Sequence, residues 1–97
     1  MRERDIEAYL VKQVKARGGE VRKLRWIGRR GAPDRLVLLP NCAPLMLELK
    51  APGRKVTTQQ MLEITRLNDL NMTAGWADSL EAVDVWLDAL LPAECQR

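Results

Sequence analysis

The chain predicts an α/β fold, a mixed central sheet flanked by helices in the order α-β-β-β-α-β-α, and three features carry that expectation. Apolar residues recur at helical spacing in three separate stretches, the short runs between them are rich enough in Leu and Val to be strands, and Gly or Pro marks most of the junctions. With 97 residues, 46% of them hydrophobic, there is room for one domain spanning 1–97 and for a single core.

From Asp5 to Arg17 the residues Ile6, Tyr9, Leu10, Val11 and Val14 recur at helical spacing with Lys12 and Lys15 opposite, and Gly18-Gly19 provides the stop. At about 100° per residue Glu7 projects between Val14 and Val11, inside the apolar arc. A carboxylate aimed at a core needs a partner, and none is local. Glu3, one turn earlier on nearly the same face, competes for the same role. Glu20 to Ile27 alternates loosely among basic residues and reads as a partly exposed first strand, followed by the flexible basic turn Gly28-Arg29-Arg30-Gly31.

Asp34 to Leu39 is apolar on both parities after its first residues, as a strand covered on both faces should be. Pro40-Asn41 turns the chain into a third strand, Leu45 to Lys50, in which Leu45, Leu47 and Leu49 point one way while Met46, Glu48 and Lys50 point the other. Ala51-Pro52-Gly53 breaks that strand, and Thr57 opens a helix carrying Met61, Ile64, Leu67 and Leu70. Met72 to Ala77 is expected as a fourth strand. Asp78 then caps a last helix with Leu80, Val83, Leu87 and Leu90 on its buried stripe, Pro92 ends it, and residues 92–97 form a loose tail.

Composition excludes several chemistries. Histidine is absent, which removes Ser-His-Asp and Cys-His catalysis and histidine-based zinc sites, so any metal must rest on carboxylates. Cys42 and Cys95 lie far apart without metal-site or disulfide-framework spacing, and free thiols are expected. No apolar run approaches a membrane span and no nucleotide-binding loop is visible, so a cytoplasmic protein with no membrane and no nucleotide cofactor is expected. Trp26, Trp76 and Trp86 read as core or interface residues, since none sits in a run of alternating aromatics and bases.

The formal charge of +3 is unevenly spread: residues 22–55 carry +7, residues 56–97 carry −5 and residues 1–21 carry +1. A basic stretch usually just solvates strands and loops. Here its only two acids are Asp34 and Glu48, and a polyanion held on it would bind through phosphate contacts that weaken steeply with salt.

Those two acids stand in Gly31-Ala32-Pro33-Asp34 and, fourteen residues after Asp34, in Glu48-Leu49-Lys50. Taken alone, Asp34 is ordinary turn chemistry after proline, and Glu48 and Lys50 form a strand salt bridge. On neighbouring strands the three would meet at one point, where two carboxylates can hold a hard divalent cation and an ammonium can orient a water or offset charge on a phosphate. That is equipment for cutting a phosphodiester bond.

The order of elements and the Gly-x-Pro-Asp…Glu-x-Lys pattern resemble the PD-(D/E)XK nuclease superfamily, with its restriction-endonuclease-like core. With Ile6-Glu7 on the leading helix, Glu48-Leu49-Lys50-Ala51-Pro52-Gly53 and the following Lys55…Gln60, the chain is similar to a stand-alone VRR-NUC domain over about residues 5–80. The resemblance implies metal-binding acids at Asp34 and Glu48, a third ligand in the backbone carbonyl of Leu49, a catalytic lysine at Lys50, a helix glutamate at Glu7 that completes or supports the metal site, and a motif glutamine at Gln60. Thr57-x-x-Gln60 is equally a helix capping box, so Gln60 is divided between cap and site. Mg²⁺ or Mn²⁺ is the implied cofactor and a 5′-phosphate the implied product. Arg29, Arg30, Arg35, Arg54 and Lys55 are the candidates for gripping DNA beside the cut.

So small a domain has little surface for recognising a DNA shape, and two copies would supply a longer track and two cutting centres. The element order also resembles archaeal Holliday-junction resolvases, which work as dimers. The expectation is therefore a metal-dependent, structure-selective DNA endonuclease for branched DNA or Holliday junctions in replication, repair or recombination, acting as a homodimer in a bacterial or phage-infected cell. The alternatives are a nucleic-acid-binding module that does not cut, and a general nuclease without structure preference.

Overall fold

The computed structural model describes residues 1–94. Helix α1 (Glu3–Ala16) is followed by strands β1 (Glu20–Lys23), β2 (Arg35–Leu38) and β3 (Leu45–Leu49), helix α2 (Thr58–Asp69), strand β4 (Thr73–Ala77) and helix α3 (Leu80–Glu94), in the expected order. The strands form one sheet, β1-β2-β3-β4, antiparallel at its first two junctions and parallel between β3 and β4. A parallel neighbour needs a crossover, and α2 supplies it.

Alternation along β3 sorts the core into two layers. Leu45, Leu47 and Leu49 face α1 and α3, packing with Ile6, Leu10, Val14, Val83 and Leu87, while Met46 faces α2 with Ile64 and Ala74. Helices α1 and α3 are tied over the first layer by the Tyr9 hydroxyl, which donates to Asp84 at 2.8 Å, and by Arg17, 2.9 Å from Asp88. The Asp84 carboxylate in turn raises the Tyr9 hydroxyl above its usual pKa.

Several boundaries differ from expectation for physical reasons. β1 ends at Lys23, four residues early, because Leu24 makes one last bond to the Asp34 carbonyl (2.8 Å) and the indole of Trp26 turns inward to donate to the Pro33 carbonyl at 2.7 Å. Ser79, not Asp78, caps α3, its hydroxyl accepting from the Ala82 amide at 3.0 Å. The helix continues through Pro92 to Glu94, since a proline forfeits one amide bond without forbidding another turn; the rest of the expected tail lies outside the described residues.

α2 is rotated so that Ile64, Leu67 and Glu63 face inward, leaving Met61 and Leu70 exposed. Cys42 is disulfide-bonded, which corrects the expectation of a free thiol. The β2–β3 turn folds Cys42 onto the first core layer; Cys95 lies outside the described residues. None of the described helices is long and apolar enough to cross a membrane.

Among the glycines the closest approach is at Gly75 on β4, where an added Cβ would lie 1.9 Å from the Trp86 ring. That ring lies against the strand and donates its indole N–H to the Trp76 carbonyl at 2.9 Å. Gly75→Ala should therefore push α3 off the sheet and cost about 2 kcal/mol or more, read as a lower urea midpoint with a blue- or red-shifted Trp86 emission.

Candidate active site

The pairing of β2 with β3 builds the site. Arg35 stands opposite Leu47, Leu36 opposite Met46 and Val37 opposite Leu45, so one further step of the same antiparallel register sets Asp34 across from Glu48. Both then belong to the α2 side of the sheet, the side of Met46. Lys50 follows directly on β3, its amide donating to the Ala77 carbonyl at 2.9 Å and carrying the parallel ladder one residue further.

Glu48 is partly buried among apolar neighbours. Burial, and then the negative charge of Asp34, push its carboxyl up to about 7; Glu3 adds to the rise, while Lys50 and Arg35 pull against it. Asp34, Glu48 and Lys50 thus share one electrostatic neighbourhood, as the sequence predicts. Gln60 reaches the same point from the first turn of α2. Its side-chain oxygen accepts from the Thr57 amide at 2.9 Å while its amide nitrogen donates to Glu48 at 3.3 Å, so the residue both caps the helix and holds the acid.

The approach to Asp34 is fixed by Gly31, whose φ of +77° opens the turn and whose missing Cβ leaves room for Gln59 at 3.0 Å. Pro33 behind it is fully buried.

Arg35 has the opposite parity to Asp34 and faces α1. It is 7% exposed, its guanidinium lies 2.5 Å from the Glu7 carboxylate, and it also donates to Asp34. Lys23 completes the cluster, 3.3 Å from Glu7. Burial alone would raise the Glu7 carboxyl, but the hydrogen bonds and charges of Arg35 and Lys23 outweigh it and hold Glu7 below the usual range. Glu7 therefore has partners after all, 28 residues away for Arg35, and they occupy it on the α1 side of the sheet while Glu48 sits on the other. Arg35, expected on DNA, is enclosed between two acids instead.

Among the other bases, Arg29 is 2.9 Å from Glu63, an acid of α2 whose side chain is only 7% exposed. Sequence reasoning passed over Glu63, although its spacing from Gln60, Ile64 and Leu67 places it on the inward face. Arg30, Arg54 and Lys55 are exposed to solvent. Among the described residues no group of three or more His, Cys, Asp or Glu side chains is gathered as a metal cage.

The mixed sheet with helices on both faces is the restriction-endonuclease-like core expected from the sequence, with Asp34, Glu48 and Lys50 at its β2–β3 end. A solved structure described as a VRR_NUC domain protein has the same fold, with a TM-score of 0.74 over 94% of this chain and 88% of that one at 16% identity. A second, described as a VRR_NUC domain, superposes with a TM-score of 0.79 at 32% identity, covering 89% of this chain and 94% of the other. In sequence the chain is 43% identical over 93 residues to "Putative nuclease p44" of Acyrthosiphon pisum secondary endosymbiont phage 1, spanning 96% of this chain and 95% of that protein. No family model matches. The chain belongs to the VRR-NUC family and is a nuclease.

The raised Glu48 fixes a pH dependence. Unfolded, its carboxyl ionises near 4.5, and folded near 7, so between those values the folded state holds the extra proton. The contribution of Glu48 to the stability of the metal-free protein should be constant below the lower value, fall as pH rises through the interval, and stay reduced above it. After allowing for partial solvent access the loss is about 2 kcal/mol. Urea unfolding in chelator across that range measures it, and Glu48→Gln should flatten the profile.

Glu7→Ala would leave Arg35 enclosed with half its partners. A loss of about 2–3 kcal/mol is expected by the same unfolding measurement, with Glu7→Gln intermediate.

Proposed function

We propose that this nuclease is a divalent-metal-dependent DNA endonuclease that acts on branched DNA, Holliday junctions above all, as a homodimer serving replication, repair or recombination. The observation that carries the reading is Glu48, a partly buried carboxylate facing a second one, Asp34, and destabilised by it. A cation between them relieves that repulsion. Hard cations of this kind are commonly held by one or two carboxylates while keeping several waters, so two acids and a main-chain oxygen are a sufficient donor set.

Asp34, Glu48 and the backbone carbonyl of Leu49 would hold Mg²⁺ or Mn²⁺. When bound, such an ion supplies a polarised phosphate oxygen and a water of lowered pKa. The chain's own residues do the rest. Lys50 orients the attacking water and offsets charge on the phosphate. Gln60 keeps the Glu48 carboxylate turned toward the site through its 3.3 Å bond. Glu7 supports the site indirectly: it fixes Arg35, and Arg35 fixes Asp34. Exposed Arg30, Arg54 and Lys55, with the outer part of Arg29, are suited to the phosphate backbone beside the cut.

Two substitutions test this directly. Asp34→Ala should abolish cleavage and Lys50→Ala should slow it by about 100-fold or more, with DNA binding preserved in both. Binding should weaken steeply with salt. Wild-type protein that binds DNA but leaves a four-way junction, a flap, a single strand and a plain duplex all uncut with either ion would make the chain a binding module. Equal rates on all four would make it a general nuclease, and a monomeric mass in sedimentation on junction DNA would remove the homodimer.

A further inference from the structure

We propose that Ile27 is a wedge: the tip of the β1–β2 loop inserts this side chain into a base step of bound DNA beside the cleavage site. The inference deepens the endonuclease reading and rests on it. Ile27 is 94% exposed, more than any other large apolar side chain among the described residues. A single exposed apolar residue is normally unremarked. This one differs in being held out by anchors on both sides.

Immediately before it, the Trp26 indole donates to the Pro33 carbonyl at 2.7 Å; two residues after it, Arg29 bonds the buried Glu63 of α2 at 2.9 Å. Between the anchors the chain turns at Gly28, φ +76°, with nothing within 4 Å of where a Cβ would be. The tip is thus held from both sides while the Ile27 side chain stands almost wholly in solvent. Pro33 directly precedes Asp34, so the first anchor ties the tip to the candidate metal-binding acid.

The surroundings choose the occupant. Arg25, Arg29 and Arg30 flank Ile27, all exposed. A second copy of the chain meeting this tip across a twofold axis would bring like charges together, whereas a phosphate backbone complements them. Apolar wedges that enter base steps unstack and kink the duplex, at a cost that is smallest where stacking is already interrupted. A branch point is such a place. Insertion buries the isoleucine and leaves the arginines on the phosphates at either side, which gives a small domain a means of preferring branched over continuous DNA.

The test uses the full chain in chelator, so that nothing is cut, with a four-way junction carrying 2-aminopurine at the branch and a continuous duplex carrying it internally. Wild type should raise the fluorescence of the junction probe several-fold on binding. Ile27→Ser should bind within about threefold of wild type, because the phosphate contacts remain, yet give no rise; with Mg²⁺ its junction cleavage should fall about tenfold while Ile27→Met keeps both signals. Flat fluorescence with wild type, an unchanged rise with Ile27→Ser, or conversion of a dimer to a monomer by Ile27→Ser would each overturn the wedge. Cleavage without a fluorescence change would sink the wedge alone; a rise lost in Ile27→Ser, in a protein that never cuts, would leave the wedge standing and sink the endonuclease reading.

Discussion

The register between β2 and β3 decides what every charged residue of this protein can do. Three pairs set it, Arg35 with Leu47, Leu36 with Met46 and Val37 with Leu45. A slip of one residue would exchange the faces of the whole strand, turning Arg35 toward α2 and Asp34 toward α1. It is specified by packing: Val37 and Leu47 are completely buried in the layer under α1 and α3, and a one-residue slip would take one of them out of that layer and bring Asp34 or Glu48 into it. The hydrophobic pattern of two strands thereby positions two carboxylates it does not itself contain.

The same alternation separates two electrostatic environments only one strand apart. On the α1 side, Glu7, Arg35 and Lys23 satisfy one another, and Arg35 extends to Asp34 around the strand start. On the α2 side, Glu48 has one weak amide contact and a neighbouring negative charge, and Lys50 does not cancel it. Burying an acid is costly unless it is paired, and the cost is visible in the raised Glu48. The first environment is closed and structural; the second sets two carboxylates against each other, and that is the ground for proposing the site there rather than at the better-formed ion-pair cluster.

Much of this was legible in the sequence, and what was not follows a rule. Element order, the sheared parity of β3 and the convergence of Asp34, Glu48 and Lys50 came from periods of two and 3.6 and from Gly and Pro, all of which act locally. Gln60 left two readings open because one amide has two ends, and both are used. What failed was partnership at long range. Glu7 with Arg35 and Arg29 with Glu63 each join elements distant in the chain, and no spacing announces them; nor does any spacing mark Cys42 as disulfide-bonded. Arg35 is the instructive case. Its alternation with Val37 marked it as inward-facing, a local signal that outweighs its place in a basic run.

Another set of long-range contacts converges on the first half of α2. Gln59 packs against Gly31 and its amide reaches the Arg30 carbonyl at 3.4 Å; Gln60 holds Glu48; Glu63 holds Arg29. Four successive contacts from one rigid helix therefore set both the basic loop and the buried acid. One helix, begun by the capping box at Thr57, therefore holds the loop that carries Arg29 and Arg30 and the carboxylate of Glu48 in a fixed relation to each other.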